Sequence, residues 1–293
     1  MIKLKDIDLK NSYEVFKFLN EIPKSLEYHG FESEMLENDT SEGDIDAYNH
    51  YDEKNRILGD IKSYPKRAKK YNWLNSDGEL NWPKYTINKY GFRTSLEYKN
   101  GTSIALGCSY TFGLGVHEEH TWPYLLSKKI NKDIINLGIC GGSMDSSYRA
   151  LKSYIGKYTP EYVFFSIPSA LRQHLQYRRD DNRVGTLCIM PNGEHREEDK
   201  HRKMLHSFLL KNFYSLDENI FVNFYKNLEA IRYLCDSKNI KLIECLNPCM
   251  YNPDEILEKA FDHKFLDKFS SFDPDHFGPE IYEIMIKDFL KLL

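Results

Sequence analysis

The sequence lacks the features that define several large classes of protein. No apolar run approaches the roughly 20 residues of a membrane-spanning helix, and the first residues, Met-Ile-Lys-Leu-Lys-Asp, lack the apolar stretch of a signal peptide. A strong charge of either sign is also missing, since 40 Lys and Arg offset 44 Asp and Glu to a net charge of -4. We therefore expect no membrane partner and no nucleic-acid partner, because a nucleic-acid-binding surface would be basic.

The missing leader predicts a cytoplasmic protein, although a protein carried in a virus particle would lack one too. Cysteine is present without a metal or disulfide pattern: of the six residues, Cys245 and Cys249 are spaced as a pair, and no second pair answers them. Reduced thiols that serve as small apolar residues are the expectation. A chain of 293 residues can bury a sizeable core by itself, so we expect that it needs neither disulfides nor a structural metal to fold.

What the sequence does contain is an aromatic-rich composition and, from about residue 101, strands that alternate with helices. Aromatic residues make up 14% of the chain, which argues against disorder. The apolar pattern predicts strands over 103–106, 134–137, 162–167 and 240–246, and helices over 122–130, 147–158, 217–234 and 279–293. This alternation predicts a three-layer α/β/α domain with a parallel sheet, which binds ligands at the carboxyl ends of its strands.

The first hundred residues lack that alternation. Ser12 can cap a short helix that runs to Ile22, residues 32–60 are acidic and polar, and residues 73–82 are irregular or short-stranded by composition. We expect an N-terminal extension over 1–100 that packs on the main domain at 101–293 or forms a subunit contact in a homo-oligomer.

Two glycine-rich loops follow predicted strands. Residues 107–113, Gly-Cys-Ser-Tyr-Thr-Phe-Gly, place Ser109 between a strand and a helix, where its Oγ can act as a nucleophile and its amide can hold an oxyanion. An ordinary capping serine is the alternative. Residues 136–143, Asn-Leu-Gly-Ile-Cys-Gly-Gly-Ser, can point a backbone N–H at the same oxygen, or can simply form a turn that needs positive φ.

A third polar segment, Asp273-Pro274-Asp275-His276, precedes the last predicted helix. A carboxylate three residues before a histidine can hold Nδ1–H, so that Nε2 acts as a base. A solvated acidic turn with a surface histidine is the alternative.

Together these three segments resemble the SGNH/GDSL hydrolases. The Ser109 loop is similar to the first block of that family, residues 136–143 to the second, and Asp273 to His276 to the final Asp-x-x-His block. The resemblance covers roughly residues 85–293, and includes an Asn-x-x-Gly-Phe-Arg element at 88–93 and a Thr-Trp-Pro continuation near 117–122. It implies a flavodoxin-like fold and a Ser109–His276–Asp273 triad, with Gly141 as an oxyanion donor.

The chain departs from the family pattern at two places. The Asp that usually precedes the nucleophile is Cys108, which makes Cys108 a rival nucleophile, although its place in the motif favours Ser109. The third block, Gly-x-Asn-Asp, is missing after the third strand, and losing one oxyanion donor can cost about 10²–10³ in rate. Ser169, Arg172 or Gln173 are candidate replacements.

Arg172 and Tyr110 are the candidate substrate-binding residues, Arg172 for an acidic group on the substrate. Residues 172–220 form an insert whose first part is rich in Arg, Lys and His. It is either a lid over an anionic or sugar substrate or a solvated excursion, which its nearby acidic residues favour.

These observations predict an enzyme that hydrolyses or transfers an ester-linked acyl group. Its expected substrate is a small-molecule or carbohydrate ester, with O-acetyl as the acyl group that the resemblance implies. An enzyme acting on a phosphoester or thioester is one alternative. A non-catalytic, SGNH-like structural or binding protein, for example in a virus particle, is the other.

Overall fold

A computed structural model describes residues 65–88, 90–178, 217–247 and 278–293, with short pieces at 43–46, 58, 61–63, 184–189, 207–209 and 211. The helix predicted from Ser12 to Ile22 lies outside the described residues, and so do Asp273 and His276.

The described part of the chain contains eight named strands and six α-helices. The strands are β1 (Gly43–Asp46), β2 (Lys84–Ile87), β3 (Ser103–Gly107), β4 (Ile134–Gly138), β5 (Tyr162–Ile167), β6 (Gln173–Arg178), β7 (Val184–Ile189) and β8 (Lys241–Leu246). The helices are α1 (Pro65–Lys70), α2 (Ser109–Phe112), α3 (Trp122–Ile130), α4 (Met144–Ile155), α5 (Asp217–Ser237) and α6 (Pro279–Leu292). A 3₁₀ turn (Glu118–His120) precedes α3.

The main sheet has four parallel strands in the order β4-β3-β5-β8. In the register, Ile104 of β3 lies opposite Ile135 on one side and Val163 on the other. All residues of β3 and β4 are buried, as expected for strands covered on both faces. The chain order reverses between β3 and β5, and ligands bind at the carboxyl ends of the strands beside such a switch point.

Alternate residues of the strands face two separate helical layers. Ile104, Leu106 and Phe165 belong to the apolar cluster under α4 and α5, whereas Ala105 and Phe164 belong to the cluster under α3 and α6. The predicted three-layer α/β/α fold with a parallel sheet is therefore confirmed.

Among the helices that cover the sheet, α4 differs most from its predicted bounds, which were 147–158. It begins three residues earlier because Ser143 is its N-cap and forms a capping box with Ser146. It also ends three residues earlier, at Ile155, with Gly156 as its C-cap. The cap draws the start of the helix to the end of the second glycine-rich loop.

Two short antiparallel pairs were not predicted. β1 pairs with β2, so residues 43–46 form a strand within a segment expected to lack periodicity. β6 pairs with β7 to form a hairpin within the segment expected to be an insert or lid. All four strands are short, and β1 and β2 are also about 40 residues apart in sequence, so their pairing is a non-local contact that composition does not reveal.

Arg67, Lys70 and Tyr71 contact α6, the last helix of the described chain. Arg67 forms a two-bonded ion pair with Glu280, with Nε–Oε1 at 2.6 Å and Nη2–Oε2 at 3.0 Å. Its guanidinium also lies 4.3 Å from the ring centre of Trp73. Among the described helices, none is both long and apolar enough to cross a membrane.

Candidate active site

Ser109 follows the carboxyl end of β3 and begins α2, beside the switch point of the sheet. Ser109 is only 4% exposed to solvent. The turn is closed by backbone bonds from Thr111 N and Phe112 N to Cys108 O, both 2.9 Å. Cys108, in extended conformation, joins the strand to this single helical turn. The strand–turn–helix setting that was predicted for Ser109 is confirmed.

The two glycine-rich loops pack directly against each other. A Cβ on Gly138 would lie 2.2 Å from Phe112 N, so only glycine allows β4 to approach α2 this closely. Ile139 N donates to Gly107 O at 3.1 Å. The loops expected to share a substrate oxygen are thus neighbours.

Asn136 ties the second loop to the serine helix. Its Nδ2 donates to Thr111 O at 2.8 Å, and its Oδ1 accepts from Gly138 N at 2.9 Å. The side chain is buried, so both bonds are shielded from water. The side chain of Asn136 therefore links α2 to the loop that contains Gly141 by hydrogen bonds.

Gly141 has a φ of +70°, which favours glycine, and among the described residues other than its chain neighbours no atom lies within 4 Å of the position its Cβ would take. Its carbonyl accepts from His174 Nε2 at 2.9 Å. Whether its N–H holds an oxyanion stays a prediction.

The loop after β5 lacks the family's asparagine, and its polar side chains form hydrogen bonds within the loop and to neighbouring segments of the protein. Ser169 Oγ accepts from Leu171 N at 3.3 Å. Arg172 Nη1 donates to Gly142 O at 3.1 Å. Gln173 is buried, donates to Ala170 O at 3.0 Å and accepts from Asn223. Ser169 as an oxyanion donor and Arg172 as a substrate-binding residue stay predictions.

His174 was not singled out from the sequence, where it was one of several histidines in a basic segment. Because a carbonyl only accepts, Nε2 must hold the proton that binds Gly141 O. Burial, followed by the charge of Arg149, lowers the pKa of His174 to about 3, and Arg172 adds to this effect. The ring is therefore neutral at ordinary pH. With Arg172, it fixes the carbonyls of Gly141 and Gly142.

Asn247 is a second residue that the sequence did not reveal. It follows β8 at the carboxyl edge of the sheet, is buried, and donates from Nδ2 to Cys108 Sγ at 3.0 Å. The only sequence signal was an asparagine directly after a predicted strand. Cys108 itself is buried in the apolar cluster below α3 and α6, which agrees with the expected use of cysteine as a small apolar residue.

Tyr110, a candidate substrate-binding residue, is also buried in the cluster below α3 and α6. Its binding role stays a prediction. Asp273 and His276 lie outside the described residues, so the triad stays a prediction as well. The described structure resumes at Gly278, the N-cap of α6. Within the described residues, no group of three or more His, Cys, Asp and Glu side chains is arranged to hold a metal ion.

Comparison with known families and curated proteins gives no match. Among solved structures, the chain is similar to a member of the lipolytic protein G-D-S-L family from Veillonella parvula, with 15% identity over 66% of this chain and 97% of that one, and a TM-score of 0.34. It is also similar to the psychrotrophic esterase EstA from Pseudoalteromonas sp., with 16% identity over 66% and 96% of the two chains and a TM-score of 0.35.

A third similar structure is a lipolytic protein of the G-D-S-L family from Desulfitobacterium hafniense, at 15% identity and a TM-score of 0.30, covering 66% of this chain and 100% of that one. The proteins from Veillonella parvula and Desulfitobacterium hafniense are of the G-D-S-L family, which the motifs of the sequence resemble. Similarities of this size carry no weight for activity. The sheet order and the two helical layers establish the fold.

Proposed function

We propose that this protein is a serine hydrolase that cleaves or transfers an ester-linked acyl group, with Ser109 as its nucleophile. The observation that supports this most is the position of Ser109 in a strand–turn–helix at the switch point, packed against the loop of Gly141. A serine that only capped a helix would not require a second glycine-rich loop in contact with its turn.

In the proposed reaction, Ser109 Oγ attacks the carbonyl carbon of the ester. His276 takes the hydroxyl proton and returns it to the leaving alcohol, while Asp273 orients the imidazole and stabilises its cation. Water then releases the acyl group in hydrolysis, or a second alcohol accepts it in transfer. No step requires a metal or an organic cofactor.

The oxyanion would be held by backbone N–H groups of Ser109 and Gly141, with Ser169 as a side-chain donor. Two features of the described loops support a preorganised Gly141. His174 and Arg172 bind the carbonyls of the second loop, and Asn136 joins that loop to α2. Donors that are fixed before the reaction need no reorganisation when charge develops on the substrate oxygen.

The proposed substrate is an acetylated carbohydrate or another small ester, with Arg172 and Tyr110 as candidate contacts. A small acyl group is in keeping with a serine that is only 4% exposed. Arg172 already donates to Gly142 O through Nη1, so a substrate anion would have to bind the guanidinium without breaking that contact.

A non-catalytic structural or binding protein is the second candidate function. It is favoured by the loop at 168–174, which contains no asparagine and whose Gln173 amide is occupied by Ala170 and Asn223. In this case Ser109 would be a structural residue of its turn.

Labelling with a fluorophosphonate tests the proposal directly, because this probe forms a covalent bond only with an activated serine. We expect the wild-type protein to be labelled and Ser109→Ala to lose labelling by at least about 10³-fold, as expected for removal of a nucleophile. Intact-protein mass spectrometry measures the adduct, and peptide mapping locates it.

Ser127→Ala is the matched control, since Ser127 lies on α3 and its Oγ donates to Tyr124 O within that helix. It should be labelled like the wild type. Cys108→Ala tests the rival nucleophile. An unlabelled wild type, or Ser109→Ala labelled as fast as the wild type, would refute the serine-hydrolase proposal and favour the structural candidate.

The acyl preference is tested with p-nitrophenyl esters of increasing chain length and with acetylated sugars. We expect the highest kcat/KM for acetate and a decline of at least 10-fold by octanoate, because a pocket that fits a small group excludes a longer chain. A preference for octanoate would contradict the acetyl assignment and leave the hydrolase assignment intact.

A further inference from the structure

Arg93 is a fully buried cation that the proposed reaction does not use. It is 1% exposed, and its hydrogen bonds go to backbone carbonyls rather than to a carboxylate. Burial lowers the pKa of this guanidinium from its usual value. Arginine nevertheless stays protonated in proteins, so the fold has to compensate its charge.

The compensation comes from the end of the turn that Ser109 begins. Arg93 Nη1 donates two hydrogen bonds, to Phe112 O at 3.1 Å and to Gly113 O at 2.6 Å. Nη2 donates to Val116 O at 3.0 Å. Carbonyls at the carboxyl end of a helical turn carry partial negative charge and attract a cation. One side chain thus holds three carbonyls of the segment 112–116.

Tyr85 completes this arrangement from the same part of the chain. Its ring centre lies 4.4 Å from the guanidinium carbon of Arg93, and its hydroxyl accepts from Gly115 N at 2.8 Å. The hydrogen bond and the cation–π contact hold the two side chains against the segment 112–116 from one direction.

A turn as short as α2 has no stability of its own, because a single helical turn costs more conformational entropy than its hydrogen bonds return. Its orientation is therefore set by tertiary contacts. Asn136 and Trp122 fix its middle through Thr111, at 2.8 and 3.3 Å, and Arg93 fixes its end. Rotating the end of this turn would move Ser109 at its start.

We propose that Arg93 is a positioning residue for Ser109, which it holds in register by anchoring the carbonyls of segment 112–116. Its kinetic consequence rests on the proposed serine-hydrolase function, whereas the anchoring does not. A displacement of about 1 Å at a reacting atom can lower a rate by about 10²-fold.

Hydrogen–deuterium exchange measures the anchoring without any assay of activity. Arg93→Met removes the donors, and Arg93→Lys keeps the charge but replaces a planar fork by a single ammonium group. We expect peptides covering 109–116 to exchange at least 10-fold faster in Arg93→Met than in the wild type, with a smaller increase in Arg93→Lys. In the same variants, the exchange rate of peptides covering 144–155 should rise only as far as the loss of overall stability accounts for.

Leu228→Ala is the matched control, because it removes a buried side chain of α5 from an apolar cluster that contains none of residues 109–116. Denaturant or temperature can be adjusted so that this variant and Arg93→Met have the same overall stability. If both variants then show the same exchange over 109–116, Arg93 is an ordinary core residue and the inference is overturned.

Kinetics supply the second readout. We expect Arg93→Met to lower kcat on a small ester, or the rate of fluorophosphonate labelling at saturation, by about 10²-fold, with KM changed by less than about 3-fold. Arg93→Lys should recover part of that loss, and Leu228→Ala should retain the wild-type kcat. A variant with loosened 109–116 exchange and a wild-type kcat would overturn the positioning role. A wild type without any activity would refute the proposed function, and the exchange comparison would still decide whether Arg93 is the anchor.

Discussion

The imidazole of His174 shows how one side chain beside the candidate site is held in a single protonation state. Nε2–H binds Gly141 O, and Nδ1 is buried without a hydrogen-bond partner in the described part of the chain. A proton on Nδ1 would be enclosed near two arginines. The same burial that fixes the loop of Gly141 thus makes acid conditions costly.

The lowered pKa of His174 predicts that the stability of the folded protein depends on pH. The folded pKa of His174 is lowered to about 3, whereas an unfolded histidine titrates near 6.5. As the pH falls from about 6.5 towards 3, the unfolded chain takes up a proton that the folded chain refuses, so stability is lost across this window. The loss from this residue should reach up to about 1 kcal/mol per pH unit.

His174→Gln checks this prediction, because glutamine can still donate to Gly141 O but does not titrate. Urea unfolding between pH 8 and pH 4 should give a shallower loss of unfolding free energy for the variant than for the wild type. The other histidines contribute equally to both proteins. Identical slopes would show that the pKa of His174 is the same in the folded and unfolded states, which would contradict the lowered pKa.

At the scale of elements, the contact between α1 and α6 joins two segments more than 200 residues apart in sequence. Arg67 has a side chain only 7% exposed, against 21% for Glu280, so their ion pair is largely removed from water. Lys70 forms a more exposed pair with Glu283 one turn further along α6. Because α6 begins three residues after His276, these contacts fix the helix that follows the predicted Asp-x-x-His block.

A double-mutant cycle with Arg67→Met and Glu280→Gln should give a coupling free energy of about 1–3 kcal/mol in urea unfolding. Each single variant removes the attraction between the two charges, so the stability losses of the two single variants should add up to more than the loss of the double variant. The exposed pair of Arg232 and Glu244 is the control, with an expected coupling below about 1 kcal/mol. Equal couplings for the two pairs would contradict the importance of burial here.

At the scale of the whole molecule, the contacts of Tyr85 and Arg93 bear on where the folding unit begins. The sequence predicted an extension over 1–100 and a domain over 101–293, and this division stays a prediction. The described contacts join residues 67–71 to α6, and Tyr85 and Arg93 to the segment 112–116 that ends the turn of Ser109. A chain cut at residue 101 would lose both sets of contacts.

We therefore expect a protein that starts at residue 101 to be less stable than one that starts at residue 65. The loss of Arg93 alone should cost at least about 3 kcal/mol, which corresponds to roughly 6–12 °C in Tm for a chain of this size. Thermal unfolding followed by circular dichroism makes the comparison. Equal Tm values would show that the extension is dispensable and that the boundary at 101 is correct.

The sequence by itself determined the order and type of the main elements. Strands β3, β4, β5 and β8 and helices α3, α5 and α6 follow from apolar runs and periodicity within a residue or a few of the predicted ends, because these signals are local. The helix α4 was displaced by three residues at each end, since the side-chain bonds of Ser143 and Ser146 decide its start. The setting of Ser109 is also a local feature, since the serine lies between the end of a strand and the start of a helix.

Only the tertiary structure decided which side chains surround that serine. Arg93 and His174 reach backbone groups 19 to 33 residues away in sequence, and Asn247 reaches Cys108 across 139 residues. A sequence shows that an arginine or a histidine is present, but it does not show whether that side chain is solvated or buried. Their roles depend on burial, which removes water and leaves the nearest carbonyl as the partner that stabilises the donor.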